Sequence, residues 1–394
     1  MKLDARKWRK RRGMAKLLDA LGADEGLTRY VGGAVRDDLL GLDVSDVDLA
    51  TRIRPPEVVG RLKQAGIKAV PTGIEHGTIT AVSDGQVVEV TSLRRDVATD
   101  GRRATIAYTD DWQEDAARRD FTINALLADP VDGTIHDYFG GLPDLKERHI
   151  RFIGHPLDRI AEDHLRILRF FRFHARYGRG APDTAALEAC TARANDLMAL
   201  SRERIADEMM KLLALDEPAA TIAIMVDHNI LKPVLPEIEA ARVAELHAVV
   251  HAERQAEIVG DPLRRLAALL PADATIAGKV GTRLRLSNRA RKRLTCAADR
   301  DLSTAPEALA YWVGTECAVD RLLLSGEAAG AAAIRDLHPP HLPIGGAKLM
   351  SRGLPEGPII ARTLRAIEKR WVESGFPGGQ EFNLIVDECL SAAR

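Results

Sequence analysis

Residues 30–51 read YVGGAVRDDLLGLDVSDVDLAT, and the fold turns on how this stretch is parsed. Thr28 to Val31 is a short β-prone run that stops at Gly32-Gly33. Paired glycines let the backbone turn tightly and bring its N–H groups close to an anion. Ala34 to Leu40 reads as a helix stopped by Gly41. The start of that helix, with Arg36 beside it, favours negative charge. Asp46-Val47-Asp48 then opens a strand, where a period of two puts both carboxylates on one face. Two converging carboxylates repel unless a cation lies between them, and hard divalent ions take oxygen ligands. A polyphosphate seat followed closely by a metal seat predicts phosphoryl or nucleotidyl transfer.

The rest of the chain bounds that reading. Its 394 residues predict about two to four domains, and a 46% hydrophobic content is ample for sizeable cores. A net charge of −1 excludes a globally basic nucleic-acid binder, so RNA contact must come from local patches. Cys190, Cys296, Cys317 and Cys389 are scattered and form no CxxC pair. They are expected as reduced core thiols of a cytoplasmic protein. No membrane span and no signal peptide is expected. The basic N-terminus predicts one amphipathic helix with Trp8, Met14, Leu17, Leu18 and Leu21 on its apolar face. That helix packs on the domain that follows or faces nucleic acid.

Beyond Thr51, Pro55-Pro56 begins a helix, and Gly77 to Ser83, the Asp84-Gly85 turn and the following QVVEVTSLR predict a hairpin. Glu89 is a charged residue inside that last strand, and read alone it is an edge residue or a partner for Arg94 or Arg119. Arg94 to Trp112 carries many charges without apolar periodicity and predicts a loop, mobile or plain. In Glu114 to Asp129, EDAARRDFTINALLAD, Arg119, Asp120 and Asn124 are polar groups set among Phe121, Ile123, Leu126 and Leu127. An arginine fork there suits a phosphate, or belongs to a structural Arg–Asp network. In Ala161 to Phe173, AEDHLRILRFFRF, Arg166 lies at i+4 from Glu162 and i+3 from Asp163, so one helix face carries all three. Taken alone, this is a salt-bridged amphipathic helix.

Taken together, GGAVRDDLLG with DVDLAT, RRDFTINAL and EDHLRILRFFRF resemble the motifs of the bacterial class II tRNA CCA-adding enzyme and poly(A) polymerase family. The resemblance spans nearly the whole chain and is strongest from Tyr30 to Phe173. It implies an α+β chain. A mixed-sheet, polymerase-β-like nucleotidyltransferase head covers 1–150, and a helical neck (151–235), body (236–295) and tail (296–394) follow. It implies two Mg²⁺ ions held by Asp46 and Asp48, with Glu89 as the candidate third carboxylate. It puts the nucleotide against Gly32, Gly33, Arg36, Arg119 and Asn124. Glu162, Asp163 and Arg166 would read the base edge of CTP or ATP, and Arg169 and Arg172 would reach the triphosphate. The loop with Asp96, Asp100, Arg102 and Arg103 would help switch from C to A.

The implied activity is addition of C, C and A to the tRNA 3′ end with release of pyrophosphate. Poly(A) polymerase, partial CC or A addition and a non-catalytic RNA-binding module remain alternatives. SDVDLAT and HGTIT lean towards CCA addition. Beyond Gly180 the pattern is almost wholly helical, and Arg283 to Leu294, RLRLSNRARKRL, reads as a basic helix suited to an RNA backbone. His247 and His251 stand at i and i+4 without a third ligand, and read as surface residues. No protein partner is evident.

Overall fold

The N-terminal arm is two helices rather than one: α1 (Ala5–Arg9) and α2 (Met14–Ala20). Gly13 separates them at φ 73°, and a Cβ there would lie 2.3 Å from the Ser83 carbonyl oxygen. The expected apolar positions are all buried, with Trp8 edge-on to Tyr30. Arg11 donates to the Ser45 and Val44 carbonyls at 3.1 and 2.6 Å, so the arm grips the loop before Asp46. The computed structural model describes residues 2–100 and 103–393, with no side chain described at 5, 6, 72, 96–100 or 103–105. Two compact units result, Met1–Leu200 and Ser201–Arg394, a coarser cut than the four expected segments.

In the first unit the strands are β1 (Thr28–Val31), β2 (Asp48–Thr51), β3 (Lys68–Gly73), β4 (Thr78–Ser83), β5 (Gln86–Ser92), β6 (Arg94–Asp100), β7 (Arg103–Tyr108), β8 (Leu127–Ala128) and β9 (Ile135–His136). A seven-stranded mixed sheet has the order β3-β4-β5-β2-β1-β8-β9. Asp84 and Gly85 both take positive φ, which is what a two-residue hairpin turn between β4 and β5 requires. β2 runs antiparallel to β1 and parallel to β5, with Leu49 opposite Val90, so Asp48 falls beside Glu89. The loop predicted after Arg94 is instead a two-stranded ribbon, β6 with β7. Backbone pairing orders it although its sequence lacks apolar periodicity. Arg102 lies outside the described residues, and Asp96, Asp100 and Arg103 outside the described side chains.

Helices α3 (Gly33–Leu39), α4 (Pro55–Gln64), α5 (Trp112–Ala117), α6 (Gly141–Glu147), α7 (Pro156–Glu162), α8 (Arg166–Tyr177) and α9 (Thr184–Ala192) complete the unit. α8 buries Ile167, Leu168, Phe170, Phe171 and Phe173. Its Phe170 and Phe173 pack on Phe121, which also meets Phe152. That cluster ties α8 to the segment behind the sheet.

The second unit is helical: α10 (Arg202–Leu213), α11 (Ala219–Asp227), α12 (Ala240–Gln255), α13 (Pro262–Leu269), α14 (Ala274–Arg283), α15 (Asn288–Asp299), α16 (Pro306–Val313), α17 (Thr315–Leu324), α18 (Ala328–Ile334), α19 (Gly346–Ser351), α20 (Pro358–Glu373) and α21 (Gly379–Ala393). The basic run 283–294 is not one helix. Arg283 ends α14, and Ser287 caps α15 by accepting from Ala290 N. The cysteine expectation fails in part: Cys296 and Cys317 form a disulfide between α15 and α17, while Cys190 and Cys389 are free and buried. Spacing along the chain cannot report a pairing set by helix packing. No helix among the described residues is long and apolar enough to cross a membrane.

Candidate nucleotide site

The turn after β1 is built as its glycines predict. Gly32 sits at φ 67° and ψ −131°, and a Cβ there would stand 3.0 Å from Arg119 Nη1. Its N–H donates to the Leu126 carbonyl at 3.2 Å, holding the turn against the segment that leads into β8. Only glycine gives both that backbone and that closeness.

β2 begins at Asp48, not Asp46, because the loop gripped by Arg11 precedes it. The alternation survives: Asp46 and Asp48 are exposed and Val47 between them is buried. Asp46 accepts from Ser45 Oγ at 2.9 Å. Glu89, also exposed, lies next to Asp48 on β5. Surrounding protein raises the Asp48 carboxyl above its ordinary value, Glu89 and Asp46 raise it further, and Arg119 opposes them. Mutual repulsion of this kind is what a divalent cation relieves, and the donors are all hard oxygens. Among the described residues no group of three or more His, Cys, Asp or Glu is placed to hold a metal ion. A divalent cation at this carboxylate edge would therefore need water or phosphate oxygens to complete its shell.

Beside this edge opens a cleft of about 480 Å³. It is lined by Gly32, Gly33, Arg36, Arg119, Asp120, Asn124, Asp163, Arg166, Arg169, Arg172 and Phe173, so residues from three separate motifs converge on one space. Arg119 is lightly held. Its Nη1 and Nη2 reach the Asn124 carbonyl and Asp115 only at 3.4 Å, and its buried Nε has no partner. Asp120 is buried and accepts from Arg169 Nε and Nη2 at 2.8 and 2.5 Å and from Asn124 Nδ2 at 2.9 Å. Burial alone would raise its carboxyl, but Arg169 and these hydrogen bonds hold it below the usual range. Arg172 rests on the Phe173 ring, 4.7 Å from its centre.

The base-reading segment departs from a continuous helix. α7 ends at Glu162, and Asp163 is extended at φ −153° and ψ 107°. Asp163 accepts from Leu165 N at 3.1 Å and faces the cleft with Arg166. Glu162, expected at the base edge, does not line the cleft; its carboxylate is divided between Arg159 at 2.8 Å and Arg166 at 2.6 Å. The break at Asp163 rotates the two acids apart, so Glu162 aims the arginine instead. Arg166 is further fixed by the Arg159 and Arg118 carbonyls at 3.2 and 3.3 Å.

Arg36 lines the cleft as expected but is only 6% exposed. It donates to Asp37, to Asn124 Oδ1 and to the Tyr177 hydroxyl. Residues outside the expected set also matter: Arg159 braces Glu162 and the Arg119 carbonyl, and Phe173 and Tyr177 carry arginines on their rings. Phe173 closes the third motif and so was within reach of sequence reasoning. Tyr177 lies beyond that motif and carries no local signal.

The sequence matches the family model of the Poly A polymerase head domain over residues 28–151. It also matches that of the probable RNA and SrmB-binding site of polymerase A over 181–242. The mitochondrial CCA tRNA nucleotidyltransferase 1 of Mus musculus is 34% identical over 404 residues, covering 96% of this chain and 89% of the relative. The Bacillus stearothermophilus CCA-adding enzyme in complex with CTP has a similar fold, with a TM-score of 0.73 at 24% identity, covering 96% of this chain and 98% of that one. The Thermotoga maritima CCA-adding enzyme complexed with tRNA(CCA) gives a TM-score of 0.72 at 23% identity, with both chains covered in full at 100%.

Proposed function

The chain belongs to the CCA tRNA nucleotidyltransferase family, and we propose that it adds C, C and A to the 3′ end of tRNA from CTP and ATP, releasing pyrophosphate. One observation carries this reading: Gly32, Arg119, Asp163, Arg166 and Arg172, far apart in sequence, line a single cleft beside the Asp48–Glu89 edge.

Asp163 and Arg166 read the base. A carboxylate accepts from the exocyclic amine of cytosine or adenine, and a guanidinium donates to the adjacent ring acceptor. Guanine and uracil do not present that order, and a misfit leaves buried polar groups unpaired. The Arg118 and Arg159 carbonyls and Glu162 hold Arg166 in place before any base arrives. Arg119 and Arg172 neutralise the triphosphate, and Arg169, locked to Asp120, fixes their surroundings. Asp46 and Asp48, with Glu89 adjacent, would hold divalent metal, in our reading two Mg²⁺ ions, which would acidify the 3′-hydroxyl and screen the phosphates when bound. The hydroxyl attacks the α-phosphate in line and pyrophosphate leaves. Residence in the cytoplasm belongs to the same proposal; fractionation of the tagged protein tests it, since the mouse relative is mitochondrial by name.

The test is incubation of tRNA lacking its CCA end with CTP, ATP or both. Growth by CC with CTP alone and by CCA with both is the expected result. Long elongation with ATP alone would mean a poly(A) polymerase. Asp48→Ala should lower incorporation by roughly 10³-fold or more without changing Tm.

A further inference from the structure

A closed ring of side-chain hydrogen bonds runs under the cleft. It leaves α8 at its last residue, Tyr177, and returns to α8 at Arg169. Arg36 Nη2 donates to the Tyr177 hydroxyl at 2.6 Å. Arg36 Nη1 donates to Asn124 Oδ1. Asn124 Nδ2 donates to Asp120 Oδ1 at 2.9 Å, and Arg169 closes the ring on Asp120 Oδ2. The Tyr177 ring also lies under the guanidinium, 4.1 Å from its centre.

The ring ties three elements that meet the cleft: α3 behind the glycine turn, the Thr122–Asn124 turn, and α8. Two anchor points well separated along α8 fix both its rotation and its slide against α3. Arg166 and Arg172 lie on that helix, and Gly33 begins α3, where a Cβ would come 3.4 Å from Arg36 Nη2. The base-reading side chains and the glycine turn are therefore held in register through Arg36.

Tyr177 is the member with no other evident duty. Its hydroxyl accepts from Arg36 while hydrogen-bonding to Asp37, and burial, Asp37 and that bond push its pKa up to about 12 against Arg36, so it stays protonated. We propose that Tyr177 is a positioning residue for nucleotide selection, acting through Arg36 to hold α8 in register with the glycine turn. This rests on the cleft being the nucleotide site.

Tyr177→Phe removes only the hydroxyl. The expected result is a KM for CTP and for ATP raised roughly tenfold, kcat changed less, and more misincorporation of UTP and GTP. Asp120→Asn breaks the same ring, so the double variant should lose little more than the worse single variant. Unchanged KM and unchanged discrimination in Y177F, whatever its Tm, would overturn the proposal. So would full additivity with D120N. Arg166→Ala run alongside separates the two ideas: if it keeps base selection, the nucleotide site lies elsewhere; if it loses selection while Y177F does not, only the role of Tyr177 falls. Should Y177F fail to fold, Asp37→Ala removes an acceptor that holds Arg36 and so loosens the same ring, and the same KM and misincorporation measurements apply.

Discussion

Arginine is concentrated in both units and is held in opposite ways. In the first, Arg119 reaches its partners at 3.4 Å and leaves Nε without one, at the wall of an open cleft. In the second, Arg264 and Arg265 are sealed inside. Arg264 donates to Asp320 at 2.8 Å and to Glu253 at 2.7 Å, while Arg265 donates to Glu253 at 2.9 Å and to the Leu213 carbonyl at 2.7 Å. Arg293 joins them through Asp320 and Asp261. With Glu253 and Asp320 at 2% and 0% exposure, no ligand competes for those forks. The saturated guanidiniums of the second unit join its helices, whereas Arg119 keeps an unpartnered donor at the cleft.

The contrast can be broken in four places. Asp320→Ala takes one buried acceptor from each of Arg264 and Arg293, which keep Glu253 and Asp261, and should destabilise the second unit by about 3 kcal/mol in urea unfolding. A loss under 1 kcal/mol would show that this network is not structural. Dithiothreitol should open Cys296–Cys317 and cost the same unit about 3 kcal/mol, as expected for a loop of this length, while the first unit's transition stays put. Arg166→Ala should lower discrimination of CTP against UTP by roughly 10- to 100-fold with little change in Tm, the reverse of the Asp320 result. Acid gives the smallest effect. Asp120 has a depressed carboxyl in the folded chain, so its contribution is full above the unfolded value near ~3.9 and drains away as pH falls below it. Thermal melts between pH 5 and 3 should therefore fall less steeply for Asp120→Asn than for the natural chain.

Much of the first unit was legible from local pattern. The glycine turn, the exposed–buried–exposed order at Asp46-Val47-Asp48, the hairpin at Asp84-Gly85 and the Glu162–Arg166 pair all depend on residues close in sequence. Where reading went astray, a distant partner intervened. Gly13 splits the N-terminal helix because Ser83 packs against it. Nothing in GGAVRDD foretells that Arg36 binds Asn124 and Tyr177, because both come from distant segments.

The sequence by itself determined which groups were on offer: carboxylates at alternate positions, a paired-glycine turn, and Glu162 and Asp163 one helical turn before Arg166. Periodicity and spacing encode such short-range geometry directly. Only the tertiary structure decided which of those groups face the cleft. It turned Glu162 into a brace and Asp163 into a lining residue, and it joined Cys296 to Cys317. Those outcomes follow from packing between segments far apart in the chain, where burial and competing hydrogen bonds choose each side chain's partner.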